Sequence, residues 1–593
     1  MCGICGEYRF DNKAVDQQLI KAMNDKLARR GPDDEGIFTD QYIGFGHRRL
    51  SVIDLSDHSH QPMVDEQLDL VLVFNGAIYN YRELRQQLQQ HGYSFFSEGD
   101  SEVILKAYHL WGEDCAKHLH GMFAFVIWDK SKNKLFMARD RFGIKPLYWS
   151  QNETSFKFAS TPQALLASGD IDTSIDPSGL HFQYTLHAVI PAPRTILNGI
   201  RKLEPGCYAW VDSNGKAESK PYWQLTAHRP DAAMSEQQWV DVVHEELREA
   251  VRKRNDVADV PVGVLLSGGL DSSLLVALLA ELGISNMHTF SVGFEDQPEE
   301  KGSEFEYSDQ VVERYQPQHH KFLVPNENVL QRMPEAVDAM SEPMFGQDAV
   351  AFYLLSEKVS QEVKVVQSGQ GADEVFGGYF WYERMMNETE GSRLDRFRKH
   401  YFDRDHPEFL KMAGAAYQTG DVTGEYIKQR LEEEGADEFI DSILRLDTTT
   451  LIVDDPVKRV DNMTMSWGLE ARVPFLDHKL VELVAQCPPE IKFQTSGKHL
   501  LKRIARGIVP DAVIDRPKGY FPMPALKYVR GEFLDFMRDI LDSQACRERG
   551  LFNRDYIDRI MAAPEMHHTR IQGSKLWHMA LLEFWLQRVV DDQ

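Results

Sequence analysis

Residues 260–273 read VPVGVLLSGGLDSS, and this stretch decides the fold of the larger part of the chain. The apolar run 260–266 is typical of a strand buried on both faces. A short loop at 267–269 follows, and residues 271–282 continue as an apolar helix. Strand, glycine-containing loop and helix in this order predict one unit of an α/β fold.

The same order of strand and glycine-containing loop recurs about one hundred residues later. The apolar run 363–366 precedes 368–379, which reads SGQGADEVFGGY. Alternating strands and helices imply a parallel sheet with ligands at the carboxyl ends of its strands. From about residue 391 onward the pattern is mainly helical, with no internal repeat or low-complexity tract.

The loop at 267–269 has the composition of a phosphate-binding loop. Glycines let the backbone approach an anion closely, and a helix that begins directly afterwards adds its positive end. The stretch lacks the Gly-Lys-Ser/Thr ending of a Walker loop, so a γ-phosphate cradle is not expected. The simpler alternative is a serine-rich helix cap. The loop resembles the PP-loop of enzymes that cleave ATP between the α and β phosphates. This resemblance implies that Asp271 and Asp373 supply two carboxylates for Mg²⁺ bound to pyrophosphate.

Residues 1 to about 210 carry short β-type segments separated by glycines. The runs 70–74, before Asn75-Gly76, and 122–128, before Asp129, are predicted to be buried strands that end in turns. Residues 226–235 are polar and lack apolar periodicity, so they are predicted to be a linker.

Cys2 follows the initiator Met1 directly. A small residue at position 2 permits removal of Met1, which would leave a thiol and a free α-amine on one residue. An α-amine has an ordinary pKa of about 7.7–8.0, so it can act as the base that activates the thiol. The alternative is that Cys2 is incidental; Cys5 is predicted to be a buried structural thiol.

Composition limits the classes of function. A chain of 593 residues is too long for one core, so two or three domains are expected. The formal net charge of −25 argues against nucleic-acid binding, which needs clustered Lys and Arg. The six scattered cysteines predict no disulfide framework. With no leader peptide and no membrane-spanning run, we expect a cytoplasmic protein without membrane partners.

Several motifs together resemble a known family. In the first part these are MCGICG at 1–6, RGPD at 30–33, HRRLS at 47–51, Asn75-Gly76 and Asp100. They resemble the class II glutamine amidotransferase domain. The loops at 267–273 and 368–379, with VDNMTM at 460–465, LEARVPFLD at 469–477 and GKH at 497–499, look like the synthetase domain of glutamine-hydrolysing asparagine synthetase.

The resemblance implies a multi-domain α/β protein. An Ntn-hydrolase αββα sandwich would occupy residues 1–225, and an ATP-dependent PP-loop domain with a parallel sheet and a helical end would occupy 236–593. The first would release ammonia from glutamine through a glutamyl thioester. The second would use ATP and Mg²⁺ to adenylate a carboxylate, which ammonia then converts to an amide. A homodimer is possible.

The resemblance also implies site residues. The catalytic set is Cys2, Asn75, Gly76, Lys498 and Gln370. The glutamine-binding set is Arg49, Leu50, Ser51, Val52, Ile53, Asn75, Gly76, Ala77 and Asp100, with Arg49 on the α-carboxylate and Asp100 on the α-ammonium. The ATP-binding set is Leu266, Ser267, Gly268, Gly269, Asp271, Ser272, Val292, Ser368 and Gly369; Asp271 and Asp373 would hold the metal.

Two positions depart from the family pattern. Ala77 replaces a glutamate that would contact glutamine, so weaker glutamine binding is expected. Gln370 replaces an acidic residue, and the segments around it, with 461–468 and RPKGYFP at 516–522, resemble N-acetylglutaminylglutamine amidotransferases more closely. The favoured acceptor is therefore an N-acetylated dipeptide. Aspartate is the alternative, and a non-catalytic sensor or scaffold is a third hypothesis.

Overall fold

A computed structural model describes residues 2–296, 301–346, 348–495, 497–516 and 524–591. Its amino-terminal part contains two antiparallel sheets, with strand orders β10-β8-β9-β1-β3-β2 and β12-β11-β7-β6-β5-β4. Their strands are β1 Cys2–Arg9, β2 Asp34–Asp40, β3 Ile43–Arg49, β4 Met63–Asp65, β5 Leu70–Ile78, β6 Gly121–Asp129, β7 Lys134–Arg139, β8 Tyr148–Gln151, β9 Ser155–Ala159, β10 Arg201–Lys202, β11 Cys207–Val211 and β12 Ala217–Pro221.

Helices cover the outer faces of these sheets. They are α1 Gln17–Asp25, α2 Tyr81–Gln90, α3 Asp100–Trp111, α4 Cys115–His118 and α5 Pro162–Leu166, whereas α6 Pro177–Thr185 packs on helices of the carboxyl-terminal part. Helix α1 packs on β1 and β3 of the first sheet, whereas α3 packs on β4 and β5 of the second. The layer order is therefore helix, sheet, sheet, helix, as predicted.

Strand β5 shows why its sequence produces this layering. Successive side chains of a strand point to opposite faces. Val71 and Val73 belong to the core between the two sheets, while Leu70, Leu72 and Phe74 pack in the core on the helical side. Both faces of the strand are buried, which explains its nearly continuous apolar run.

The predicted turn at Asn75-Gly76 is wrong. Strand β5 continues to Ile78, and Asn75 and Gly76 pair with Ala124 and Phe123 of β6. A Cβ added at Gly76 would lie 2.1 Å from the Met122 carbonyl oxygen, so the glycine permits close strand contact here. The pairing of β6 on this side keeps the chain extended.

The carboxyl-terminal part contains a five-stranded parallel sheet in the order β15-β14-β13-β16-β17. Its strands are β13 Val262–Leu265, β14 His288–Phe294, β15 Gln318–Val324, β16 Val365–Gln367 and β17 Glu470–Arg472. Strand β13 is central, and it pairs in parallel with β14 and β16. The carboxyl ends of β13 and β16 therefore lie side by side, where 267–269 and 368–371 begin.

The rest of this part is helical, as predicted. Its helices are α7 Glu236–Asp256, α8 Leu270–Glu281, α9 Phe305–Tyr315, α10 Asn326–Asp338, α11 Asp348–Val359, α12 Ala372–Phe376, α13 Phe380–Asn387, α14 Arg393–Tyr401, α15 His406–Met412, α16 Val422–Glu432, α17 Phe439–Leu446, α18 Lys458–Met465, α19 His478–Ala485, α20 Pro489–Lys492, α21 His499–Ala505, α22 Asp511–Ile514, α23 Pro524–Lys527, α24 Glu532–Leu541, α25 Gln544–Arg549, α26 Arg554–Ala562 and α27 Lys575–Trp585.

Short 3₁₀ and π segments complete the described secondary structure: Asp57–Ser59, Gly112–Asp114, Ala415–Tyr417, Asp447–Leu451, Val453–Val457, Pro474–Leu476, Pro564–Met566 and Leu586–Asp591. Among the described helices, none combines the length and the apolar character needed to cross a membrane.

The segment 226–235 lacks helix and strand, as predicted for a linker, but it is held against the second part. Ala227 forms a parallel bridge with Ala436. The Arg229 guanidinium pairs with Asp441 at 2.5 Å. This connection therefore fixes the start of α7, which is further stabilised by a capping box at Ser235.

Candidate active sites

Cys2 begins β1 beside Arg49 of β3, and its side chain is largely buried. The Cys2 backbone N–H donates to Asn75 Oδ1 at 3.1 Å. The Asn75 Nδ2 group is buried without a hydrogen-bond partner among the described residues. A buried donor without a partner is unfavourable, so this amide is poised for an oxyanion formed at the Cys2 thiol.

A small cavity of about 30 Å³ opens at Cys2. Its walls are Cys2, Arg49, Leu50, Val52, Ile53, Ser59, Gln61, Phe74, Gly76, Asp100, Ser101 and Glu470. Most of the predicted glutamine-binding residues therefore converge here. Ser51, Asn75 and Ala77 are not part of the wall; Ala77 is fully buried.

Burial raises the pKa of the Cys2 thiol. A neutral thiol is a weak nucleophile, so an adjacent base is required. Cys5, three residues further along β1, is fully buried and does not line the cavity. Its predicted structural role agrees with this position.

Arg49 is held in place by the loop that follows β3. Its two terminal nitrogens donate to the backbone carbonyls of Asp54 and Ser56, the latter at 3.0 Å. Each terminal nitrogen of a guanidinium carries two N–H groups. One N–H on each thus remains for a carboxylate in the cavity, which is the geometry of a bidentate grip.

Asp100 is the first residue of α3, where its Oδ2 accepts the Ile78 N–H at 3.0 Å. Burial raises the pKa of Asp100 to about 6, although the bond from Ile78 opposes the shift. A cationic ligand beside this carboxylate would favour its ionised form. The site therefore suits an ammonium group.

Glu470 is a wall residue of the Cys2 cavity that the sequence alone did not assign to this site. It belongs to β17 of the parallel sheet, and its Oε1 accepts from Arg472 Nε at 2.5 Å. Burial opposes its ionisation, but Arg472, Lys145 and the amino-terminal charge together outweigh burial, and the pKa of Glu470 falls to about 2. A permanent carboxylate from the second part of the chain therefore completes the first cavity.

A buried ionic contact also connects the two parts. Arg30 Nε donates to the Cys2 carbonyl at 3.2 Å, and Arg30 Nη1 pairs with Asp461 of α18 at 3.0 Å. Lys145 Nζ lies 2.9 Å from the other oxygen of Asp461. Burial opposes the charge of Asp461, but Arg30 and Lys145 outweigh it and lower its pKa.

The second site begins where β13 ends. Ser267 N–H donates to Ser272 Oγ at 3.2 Å, and Gly269 N–H donates to Ser267 Oγ at 3.2 Å. Gly269 is the N-cap residue of α8, and it has no side chain that could form a capping hydrogen bond. The first N–H groups of that helix have no partner within the helix, and helix starts of this kind can bind anions, so the phosphate-binding role of the loop stays a prediction.

Lys498 connects the two predicted metal carboxylates. Its Nζ lies 2.6 Å from Asp271 Oδ2 and 2.8 Å from Asp373 Oδ1. Burial opposes the charge of Lys498, but the two carboxylates outweigh it and raise its pKa. A Cβ at Gly378 would lie 2.1 Å from Asp373 Oδ1 and 2.3 Å from Lys498 Cε, so glycine is required beside this pair.

These groups open into a cavity of about 820 Å³. This is large for a ligand site. Of the predicted residues, its walls include Leu266, Ser267, Gly269, Asp271, Ser272, Val292, Ser368, Gly369, Gln370, Asp373 and Lys498. Gly268 does not line it, but sits in the same loop with its carbonyl accepting from Arg516 Nη1 at 3.0 Å.

Sequence reasoning missed several charged wall residues of this cavity. Arg459 pairs with Asp348 at 3.2 Å and also with Asp455, and Arg516 pairs with Glu304. Arg516 begins the motif quoted at 516–522, whose remaining residues lie outside the described part of the chain. Arg459 directly precedes the motif VDNMTM at 460–465, and this position in the sequence could have indicated that it belongs to the site.

Comparison with known proteins agrees with this pair of sites. Residues 1–223 match the glutamine amidotransferase domain, and residues 242–587 match asparagine synthase. Asparagine synthetase (glutamine-hydrolyzing) 1 of Bacillus subtilis is 31% identical over 99% of this chain and 96% of its own length. Asparagine synthetase (glutamine-hydrolyzing) 3 of the same organism is 30% identical over 95% of this chain and 93% of its own length. Amidase chry2 of Gibberella zeae is 28% identical over 87% of this chain and 86% of its own length.

The fold and the two sites define a glutamine-dependent amidotransferase, an enzyme of the ligase class. Within that class the chain belongs to the glutamine-hydrolysing asparagine synthetase family.

Replacing Cys2 by alanine should remove glutamine-dependent synthesis and spare ammonia-dependent synthesis. Loss of a nucleophile typically lowers turnover by at least about 10³-fold, whereas added ammonia bypasses that step. Amide product is measured with each nitrogen donor. Cys5→Ala is the matched control, since it removes a thiol outside the cavity; equal loss with both donors in Cys2→Ala would contradict separate sites.

Glutamine hydrolysis should weaken as the pH falls through about 6. Asp100 is ionised above its pKa of about 6, and below it the protonated carboxyl no longer attracts an ammonium. Hydrogen bonds to charged groups contribute about 1.5–3 kcal/mol, so Asp100→Asn should raise KM for glutamine roughly 10- to 100-fold. Glutaminase kcat/KM is measured against pH. An unchanged acid limb in Asp100→Asn would refute the assignment.

Proposed function

We propose that the chain releases ammonia from glutamine at Cys2 and uses it to amidate an ATP-activated carboxylate at the larger cavity. The observation that carries the proposal is the position of Lys498 between Asp271 and Asp373, beside the loop at 267–269. We assign the first reaction to residues 1–225 and the second to residues 236–593.

The first reaction begins when the Cys2 thiolate attacks the side-chain amide carbon of glutamine. Arg49 holds the α-carboxylate, Asp100 holds the α-ammonium, and Asn75 Nδ2 with the Gly76 N–H stabilises the oxyanion. The α-amine of Cys2, freed by removal of Met1, takes the proton of the thiol and passes it to the leaving nitrogen. Collapse of the intermediate then breaks the carbon–nitrogen bond, expels ammonia and leaves a glutamyl thioester. Water then hydrolyses the thioester to glutamate and restores the thiol.

In the second reaction the acceptor carboxylate attacks the α-phosphate of ATP, and pyrophosphate leaves. Leu266 and Val292 would contact the adenosine. The loop at 267–269, with Ser272, Ser368 and Gly369, would approach the phosphates. Ammonia attacks the acyl carbon of the adenylate, AMP leaves, and a carboxamide forms. Lys498 neutralises negative charge that develops in both steps.

Asp271 and Asp373 fit a magnesium ion by their donor chemistry. Two carboxylates approach the same ammonium group, and hard oxygen donors are the ligands that Mg²⁺ prefers. Bound there, Mg²⁺ would neutralise charge on pyrophosphate. In the protein chain itself, Lys498 supplies the positive charge between these carboxylates.

The acceptor we propose is the free carboxylate of an N-acetylated dipeptide, N-acetylglutaminylglutamine. Gln370 is a neutral wall residue where an acidic side chain would balance the α-ammonium of aspartate. Arg459 is already paired with Asp348 and Asp455, so a second carboxylate on the ligand would compete with both. Aspartate carries an α-ammonium and an α-carboxylate besides the carboxylate that reacts. The acylated dipeptide carries only the carboxylate that reacts, and it therefore leaves fewer charges unpaired.

Aspartate is the second candidate acceptor. The two Bacillus subtilis relatives are named asparagine synthetases, and each matches more than nine-tenths of this chain. The fungal relative has a different name, amidase, at similar similarity. The family thus leaves the acceptor to be decided by the residues of this cavity.

Asp373→Asn should abolish amide synthesis while glutamine hydrolysis continues. The change removes one of two carboxylates beside Lys498, which weakens both cation binding and the alignment of that lysine. Pyrophosphate and glutamate are measured in parallel. Asp511→Asn, at an exposed carboxyl that pairs with Arg506, is the control; near-normal synthesis by Asp373→Asn at saturating Mg²⁺ would overturn the metal assignment.

The acceptor is tested by AMP formation at saturating ATP and ammonia, with the acylated dipeptide or aspartate. We expect the dipeptide to be preferred by at least about tenfold, since one unpaired buried charge costs more than about 1.4 kcal/mol. Gln370→Glu should shift the preference toward aspartate, and Gln370→Met, which stays neutral at similar length, should not. Efficient asparagine formation without dipeptide turnover would refute the peptide acceptor, but not the amidotransferase.

A further inference from the structure

A buried group of two histidines and an aspartate lies away from both cavities. His187 follows α6, Asp403 lies between α14 and α15, and His578 is in α27. Each offers one potential ligand atom, and these three atoms lie within 4.8 Å of one another. None of the three residues lines either cavity described above.

The polar atoms of this group are poorly satisfied. His578 is fully buried, and neither of its ring nitrogens has a hydrogen-bond partner within the described part of the chain. Asp403 is 3% exposed, and its Oδ1 also has no hydrogen-bond partner among the described residues. Buried polar groups nearly always have partners, so the unpartnered Nδ1 of His578, 3.7 Å from Asp403 Oδ2, indicates a missing ligand.

The backbone at His187 is also unusual. His187 and Ala188 have φ angles of 54° and 67°. Two successive non-glycine residues in the left-handed region are unfavourable, and such strain is concentrated at functional positions. This conformation places the ring of His187 with its Nδ1 at 2.8 Å from Asp403 Oδ2.

The spacing of the donor atoms suits a small cation. Ligands bound tetrahedrally at about 2.0 Å lie roughly 3.3 Å apart. The separations from Asp403 Oδ2 are 2.8 Å to His187 Nδ1 and 3.7 Å to His578 Nδ1, on either side of that value.

We propose that His187, Asp403 and His578 bind a divalent transition-metal cation of the zinc class. Two imidazoles and one carboxylate favour such an ion over Mg²⁺ or Ca²⁺, which prefer oxygen ligands throughout. A water molecule would complete four-coordination. The ion joins the connection after α6 to the final helix α27, so its role is structural.

The positively charged groups that act on His578 from outside the group are the buried Arg404 and the partly buried Lys575. His578 is fully buried and has no hydrogen-bond partner within the described residues, so a neutral ring is favoured there. Burial also opposes protonation of His187, but Asp403 outweighs burial and raises the pKa of His187. An ion pair of these two residues is the alternative, yet it leaves Asp403 Oδ1 and His578 without partners. Nearby Lys575 is paired with Glu408.

The unmodified full-length protein provides the first test. After chelation and dialysis it is titrated with Zn²⁺ or Co²⁺, bound metal is counted by mass spectrometry, and X-ray absorption defines the ligands. We expect one ion per chain, nitrogen and oxygen ligands only, and a higher Tm with metal, because a ligand that binds only the folded state stabilises it. No stoichiometric binding, or sulfur in the ligand shell, would overturn the proposal.

Variants then locate the ion. His578→Gln and His187→Gln should each lower metal affinity at least about tenfold, as expected for loss of one ligand. The matched control is His181→Gln, in a similar group with His406 and Asp421. Both ring nitrogens of His181 already have partners, Thr423 at 2.6 Å and His406 at 3.0 Å. Loss of metal in His181→Gln, with retention in the other two variants, would refute the site.

Discussion

The buried charge of Asp461 is the constraint on which the arrangement of the two sites depends. Its carboxylate lies in the second part of the chain, whereas its partners Arg30 and Lys145 belong to the first. Removing one partner of a buried ion pair typically costs about 3–5 kcal/mol. Separation of the two parts would leave all three groups unpaired, so this contact fixes their relative position. Because Arg30 also donates to the Cys2 carbonyl, the same contact reaches the nucleophile.

The two cavities differ in how their charged wall residues are paired. At the Cys2 cavity the fixed groups are a cation, Arg49, and two carboxylates, Asp100 and Glu470, which complements a zwitterionic amino acid. At the larger cavity Lys498 and Arg459 are each already paired with carboxylates. An acceptor that approaches Arg459 must replace one of its carboxylate partners or bring little charge of its own. This difference is the physical basis for separating the glutamine site from the acceptor site.

Local sequence predicted much of this structure. The strand, loop and helix around 267–269 follow from short-range pattern, and the motifs around Cys2, Asn75 and Asp100 locate most of one cavity. The turn at Asn75-Gly76 failed because pairing with β6 overrides the local turn preference. Glu470 and the partners of Asp461 could not be placed, since each acts across hundreds of residues. Their roles depend on tertiary contacts that no periodicity encodes.

The position of Glu470 has a consequence for evolution by recombination. One wall of the glutamine cavity comes from β17, the last strand of the parallel sheet, rather than from the part of the chain that carries Cys2. A glutaminase module inherited or transplanted by itself would therefore lack a carboxylate and leave its pocket open on one side. Exchange of modules between relatives is constrained to retain compatible residues at this strand, so the two halves must diverge together.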